Sequence, residues 1–239
     1  QYALDHGADF VFLINQDATI ENDTINKLIL IAGKYPDYGI LSPIHLNAEG
    51  TEIDKNVIDY IALGTPSFIS DAYFNKLDDC YSIPFINAAA WLISKECIQL
   101  VGGFDSLFFM YGEDDDYCFR TLSHGLKIGL VPSSVIFHKR IFNLPDNDKW
   151  TAIKQIAYRR ASMIVVSLKR VNKRFCNNVI LWEIGHLSKM LLALLKIYIS
   201  EFIILLIIEF LILMKLPKIK RHWQLSRNGS PFLNKQKKV

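Results

Sequence analysis

The run Phe10–Ile14, FVFLI, is continuous apolar sequence that stops abruptly at a polar cluster, Asn15-Gln16-Asp17. A strand with one face in water alternates polar and apolar residues, whereas a strand covered on both faces does not. The run therefore predicts a strand inside an α/β sheet with helices on both sides. In open sheets of that kind ligands collect at the carboxyl ends of the strands, which puts Asn15 and Asp17 at a candidate binding rim.

The following 120 residues alternate in the same sense. TINKLILIAGKYPD reads as a helix entered at Asn22 or Asp23, with Ile25, Leu28, Ile29 and Ala32 on one face and Gly33 and Pro36 ending it. YGILSPIHL, the stretch through Ala90 and Ile93, Lys127–Val131 and Val135–His138 read as strands, and Lys95–Leu100 and the residues after Asp114 as helices. Residues 47–80 are mixed in polarity and read as an insert or a strand pair. Alternation at this spacing implies a mixed, mostly parallel sheet. From Lys149 the pattern is helical throughout. The chain therefore divides into 1–148, an α/β domain, and 149–239, a helical and amphipathic tail.

Charge follows the same division. Residues 1–140 carry 9 Lys and Arg against 19 Asp and Glu, and residues 141–239 carry 18 against 5. The acidic front argues against a nucleic-acid groove and suits a site that uses a metal to hold an anionic ligand. The apolar run 179–214 is broken by Lys189, Lys196, Glu201 and Glu209 and flanked by cations at 169–174 and 215–221. Two basic flanks disfavour a single span and favour an in-plane helix or re-entrant hairpin. A helix pair buried against another subunit is the competing reading and leaves a homo-oligomer open. The four widely spaced cysteines form no CxxC pair and fit a reducing compartment.

FFMYGEDDDYCFR, residues 108–120, sets Glu113, Asp114, Asp115 and Asp116 side by side behind an aromatic run. Adjacent carboxylates need a cation, a raised pKa or full solvation. With a helix starting near Asp115, Asp114 lies at its N-cap and Asp116 can pair with Arg120 one turn on. That leaves Glu113 and Asp114 facing the rim, one of them able to accept a proton from a hydroxyl. Taken alone, the cluster reads equally well as a solvated acidic turn. An EF-hand loop is excluded because Cys118 and Phe119 stand where a ligand and the obligatory glycine belong. No GxSxG, GxGxxG or GxxxxGK[ST] sequence is present. Asp17 and His138, both at predicted strand ends, are ligand types suited to Mn²⁺ or Mg²⁺.

LINQDA at 13–18, NAAAWLISKECIQLVGGFDSLFFMYGEDDDYCFR at 87–120 and VPSSVIFHKR at 131–140 together resemble the family 2 inverting glycosyltransferases of the GT-A (Rossmann-like) fold, above all their rhamnosyltransferase-like branch. That branch shows LNxD, then GGFDExFFxYxEDxDLCxR, then a strand ending in His. The resemblance covers roughly residues 1 to 170. It implies transfer of a sugar, rhamnose first, from dTDP-rhamnose or a UDP-sugar to a glycan or lipid-linked glycan, with Mn²⁺ or Mg²⁺ as cofactor; the apolar tail with its basic flanks adds the expectation of a place at the cytoplasmic face of the membrane. By the same resemblance Asp17 and His138 hold the metal, and Asn15 and Asp17 meet the donor diphosphate. Asp114 is the catalytic base, Glu113, Trp91 and Asn87 line the acceptor side, and Asp116 and Arg120 support the base from behind. Tyr158, Arg159 and Arg160 stand where such proteins carry a basic patch. The family places its base-binding strands upstream of the Asp17 motif, and only sixteen residues precede Asp17. The chain is therefore expected to be a partial GT-A domain lacking its N-terminal strands. A non-catalytic remnant or binding subunit is the alternative, and a nucleotidyltransferase of related fold is disfavoured by the context of the Glu113-Asp114 pair.

Overall fold

The structure, a computed structural model, describes residues 1–108, 111–139, 149–169, 175–195, 199–227 and 232–233. The cations 170–174 and 140, Lys196, and the 148/149 boundary lie outside them. The chain forms two compact units: residues 1–103, 117–141 and 232–239, and residues 104–116 and 142–231.

The first unit is built on a six-stranded mixed sheet. Its elements in chain order are α1 (Tyr2–Asp5), β1 (Phe10–Ile14), β2 (Ala18–Ile20), α2 (Thr24–Lys34), β3 (Tyr38–Leu46), α3 (Lys55–Gly64), α4 (Ser67–Tyr73), β4 (Tyr81–Ser82), β5 (Ala90–Ser94), α5 (Lys95–Val101), α6 (Glu113–Ser123) and β6 (Lys127–His138). From Tyr117 onward α6 belongs to this unit. The strand order is β1-β5-β3-β6-β2, with β4 also on β6. Parallel order is confined to β3 and β6, the longest ladder, while β1, β2, β4 and β5 join antiparallel. The α/β class read from the sequence stands, although the sheet expected to be mostly parallel has one parallel pairing against four antiparallel ones among the described residues.

Why these residues form these elements is largely local. Ser94 caps α5 by accepting the Cys97 N–H at 3.1 Å, and Gly102 ends it at φ 84°, a left-handed conformation that suits glycine. Leu28, Ile31 and Ala32 of α2 pack with Leu41, Leu92 and Val131 on one side of the sheet. A second cluster joins Val57, Ile61 and Phe68 of α3 and α4 to Ile40, Ile93, Tyr117 and Ile128. β6 is one strand where two were expected, because the Pro132-Ser133-Ser134 turn is absorbed as a register shift opposite Pro43 and Ile44.

Residues 47–80 depart from expectation more clearly: they hold α3 and α4 and no strand pair. Asp54 starts α3 by accepting the Asn56 N–H at 2.9 Å, and Val57 and Ile61, one turn apart, bury its inner face. Helix α6 also begins two residues before the expected Asp115, at Glu113.

In the second unit α7 (Lys149–Leu168), α8 (Phe175–Leu195) and α9 (Ile199–Ser226) share a core of Ala157, Ala161, Val165, Ile204, Ile208, Ile212 and Ile219. Of the acids that interrupt the apolar sequence, Glu201 has a partner inside the unit, while the Glu209 oxygen nearest His186 has no hydrogen-bond partner among the described residues. Glu201 meets Arg160 at 2.5 Å, and Glu209 faces His186 at 3.3 Å. No helix among the described residues is long and apolar enough to cross a membrane.

Candidate functional site

Asp17 and His138 are 121 positions apart in the chain and adjacent in the fold. The antiparallel β2–β6 register sets Ala18 opposite His138, and the Asp17 carbonyl accepts the Lys139 N–H at 2.9 Å. The result is a carboxylate oxygen of Asp17 at 3.4 Å from His138 Nε2. That is longer than a good hydrogen bond, so the two groups face each other without closing on each other. On the other side of the ring, Asp54 Oδ2 lies 3.8 Å from His138 Nδ1, and that nitrogen is buried with no hydrogen-bond partner among the described residues. The His45 ring meets the His138 ring edge-on at 6.2 Å between centroids and takes a 3.1 Å contact from Ser42 Oγ.

The imidazole is thus buried, with the Asp54 carboxylate behind it beyond hydrogen-bond distance and a half-buried Asp17 in front. Imidazole and carboxylate together suit Mn²⁺ or Mg²⁺, and a second carboxylate behind the ring is the arrangement that orients a ligand histidine. Among the described residues no group of three or more His, Cys, Asp and Glu side chains is placed to hold a metal ion. An ion held by Asp17 and His138 would draw its remaining ligands from a diphosphate or water, which is how Mg²⁺-like ions are ordinarily bound. Asp54 comes from the segment to which the sequence assigned no chemistry. Its helix-capping position was the one signal available.

Asn15 sits exposed at the end of β1, its N–H given to the Ala89 carbonyl at 2.9 Å. Asn87 is half-buried, and its side-chain carbonyl has no hydrogen-bond partner among the described residues, the condition of a group that a ligand can satisfy. Trp91 is a correction. It is fully buried in β5, with its ring 6.0 Å from that of Tyr117, so it packs the core and offers no surface to an acceptor. Arg120 is buried too, donating to the Val101 carbonyl at 2.6 Å and the Gly103 carbonyl at 2.9 Å, which ties down the turn that ends α5.

The acids at the start of α6 belong to the second unit and differ among themselves. Gly112 turns the chain into the helix at φ 90°. Asp114 Oδ1 accepts the Asp115 N–H at 2.9 Å. Burial, then the neighbouring Asp114 and Glu113 charges, push the Asp115 carboxyl up to about 6. Burial likewise raises Glu113, one of whose oxygens has no hydrogen-bond partner among the described residues. Asp116 is buried and bonded to Lys169 at 2.7 Å. Lys169 also meets Asp105, whose other oxygen takes His222 Nδ1 at 2.5 Å. Burial pushes the Asp105 carboxyl up, and the Lys169 ammonium, the Leu107 N–H and His222 more than offset it, leaving it below the usual carboxylate range. Lys169 and His222 carried no readable signal in the sequence. The Tyr158-Arg159-Arg160 patch is engaged within the unit: Lys215 lies over Tyr158, Arg159 over Tyr111, and Arg160 on Glu201.

No family model matches the chain. Two curated proteins are similar to it. One is the low-salt glycan biosynthesis hexosyltransferase Agl10 of Haloferax volcanii, 25% identical over 130 residues, which covers 54% of this chain and 42% of that protein. The other is the dTDP-rhamnosyl transferase RfbF of Shigella flexneri, 22% identical over 147 residues, covering 58% of this chain and 45% of that protein. The match spans less than half the length of either relative. Both are glycosyltransferases by name, and the chain is a distant relative of such proteins.

Proposed function

We propose that this chain serves in a metal-dependent, inverting glycosyltransferase that moves a sugar from a nucleoside-diphosphate donor to a hydroxyl of a growing, lipid-linked envelope glycan. Rhamnose carried on dTDP is the leading donor, in keeping with the name of one relative. The observation that carries the reading is the Asp17–His138 pair, two groups brought from opposite ends of the domain to 3.4 Å, longer than a good hydrogen bond.

Each group has a role in the displacement. Asp17 and His138 would hold Mn²⁺ or Mg²⁺, with Asp54 orienting the ring, and Asn15 would donate its amide to the donor diphosphate. A divalent cation there supplies positive charge where the departing diphosphate gains negative charge. The acceptor oxygen bonds to the anomeric carbon as the carbon–phosphate-oxygen bond breaks, inverting that centre, and the hydroxyl proton passes to a carboxylate at the start of α6. Asp114 takes that proton in this reading, with Glu113 and Asn87 orienting the acceptor and Asp116 and Arg120 as structural support. The raised pKa of Asp115, about 6, favours a second assignment in which Asp115 is the acceptor of the proton, since a base poised near neutrality works best.

The test is sugar transfer from dTDP-rhamnose and from UDP-sugars in the presence of Mn²⁺. Asp114→Asn is expected to lower kcat by about 10²- to 10⁴-fold, the ordinary worth of a general base, with donor binding retained. Loss in Asp115→Asn with Asp114→Asn active moves the role to Asp115. Donor binding without turnover in the unaltered chain supports a binding subunit and overturns the enzyme reading.

A further inference from the structure

We propose that the helical unit docks in the plane of an anionic lipid bilayer through the exposed apolar stripes of α8 and of the first half of α9, with the basic end of α9 meeting headgroup phosphates. The inference uses no residue of the candidate site. On α8, Trp182, His186 and Met190 turn inward toward the unit, His186 reaching the Leu205 carbonyl at 3.1 Å. The opposite face carries Ile180, Ile184, Leu187 and Leu191, which are 56%, 64%, 56% and 58% exposed. Their spacing of four, three and four residues keeps them in one stripe of a 3.6-residue helix, and Leu181 and Leu192 widen it. Single exposed apolar residues are ordinary, but a continuous stripe of this kind marks an interaction surface.

Helix α9 adds a second stripe of the same kind and then changes its chemistry. Leu206, Phe210, Leu213 and Met214 are exposed along one face. Continued at 100° per residue, that face passes through Lys220, Arg221, Gln224 and Arg227, all exposed. Arg227 lies over the Trp223 ring at 5.1 Å, and Arg221, Trp223, Gln224, Leu225 and Arg227 line an open hollow of about 610 Å³. Apolar stripes continued by cations match the acyl boundary and the headgroup phosphates of a membrane.

Charge decides between lipid and a second copy of the chain. Residues 141–239 hold 18 Lys and Arg against 5 Asp and Glu, and Glu201 and Glu209 already face Arg160 and His186. A self-paired face has too few acids to meet its own cations, whereas anionic headgroups supply them. Because no described helix is long and apolar enough to span, the contact lies in the plane of the membrane.

The experiment is flotation of the full chain with vesicles of phosphatidylcholine alone and of phosphatidylcholine with phosphatidylglycerol, with light scattering in buffer. The unaltered chain is expected to float with the anionic vesicles and more weakly with the neutral ones. Lys220→Ser with Arg221→Ser is expected to weaken anionic binding by about fivefold per cation and to leave neutral binding unchanged. Ile184→Asp with Leu187→Asp, both at exposed positions, is expected to abolish flotation while the circular dichroism of the helices is retained. Flotation that survives the aspartates, absence of flotation with either vesicle, or a dimer that the aspartates dissociate in a chain that binds no vesicle overturns the proposal.

Discussion

Two clusters of Asp and His in this molecule look alike in composition and behave in opposite ways. In the helical unit Asp105, Lys169, Asp116 and His222 are buried and close on one another through short contacts. In the sheet unit Asp17, His138 and Asp54 approach to 3.4 and 3.8 Å and stop there, with a buried His138 nitrogen left over. The first cluster has spent its valence on itself and is structural. In the second the Asp17–His138 contact stays longer than a hydrogen bond, and the Nδ1 on the far side of the ring has no hydrogen-bond partner among the described residues. Each holds two Asp and a His; the lysine that closes the first has no counterpart in the second.

The comparison breaks most readily at Lys169. Lys169→Met removes the ammonium that both buried carboxylates share, leaving Asp105 with His222 and the Leu107 N–H, and it is expected to cost about 3–5 kcal/mol in urea denaturation. A loss below about 1 kcal/mol would show that the cluster is not the closed network described here. Linkage gives the same cluster a pH signature. Because the folded Asp105 carboxyl is held below its ordinary value, its stabilisation is fully present above that ordinary value, near 3.8, and is lost as pH falls through the folded one.

Asp54→Asn probes the open cluster. The amide keeps an oxygen to cap α3 but loses the charge behind His138, so Mn²⁺ affinity should fall about 10- to 100-fold with little change in stability. An unchanged affinity would make Asp54 a cap and nothing more. Smallest in size is Asp115→Asn. The folded carboxyl is raised to about 6, so its ionisation opposes folding as pH rises from its ordinary value through 6. The substitution should therefore stabilise the chain at pH 8 by about 1 kcal/mol, allowing for solvent screening, with no gain near pH 3. Thermal melts at the two pH values measure it, and an equal gain at both would assign the effect to packing.

What could be read from the sequence follows the range of the forces involved. FVFLI and the helix read over Lys95–Leu100 are local signals, and the structure places β1 and α5 there, although β1 is half-buried where cover on both faces was expected. Helices α3 and α4 were missed because apolar and polar residues mix through 47–80, although Asp54 followed by Val57 and Ile61 is a cap with a helical face. Lys169 and His222 could not be found from sequence, lying 64 and 117 positions from Asp105 with no periodicity joining them. Trp91 shows the reverse error: an aromatic residue in a polar-flanked stretch reads the same whether it lines a sugar site or fills a core. Only its burial against Tyr117 tells which.

The central claim, that Asp17 and His138 form a receptive metal pair, is tested most directly by titrating Mn²⁺ into the chain with and without dTDP, followed by electron paramagnetic resonance. The account predicts one bound ion per chain, tightened by the nucleotide diphosphate and weakened at least about tenfold by Asp17→Ala and by His138→Ala. Binding that neither substitution changes, or no binding even with the nucleotide, would contradict it.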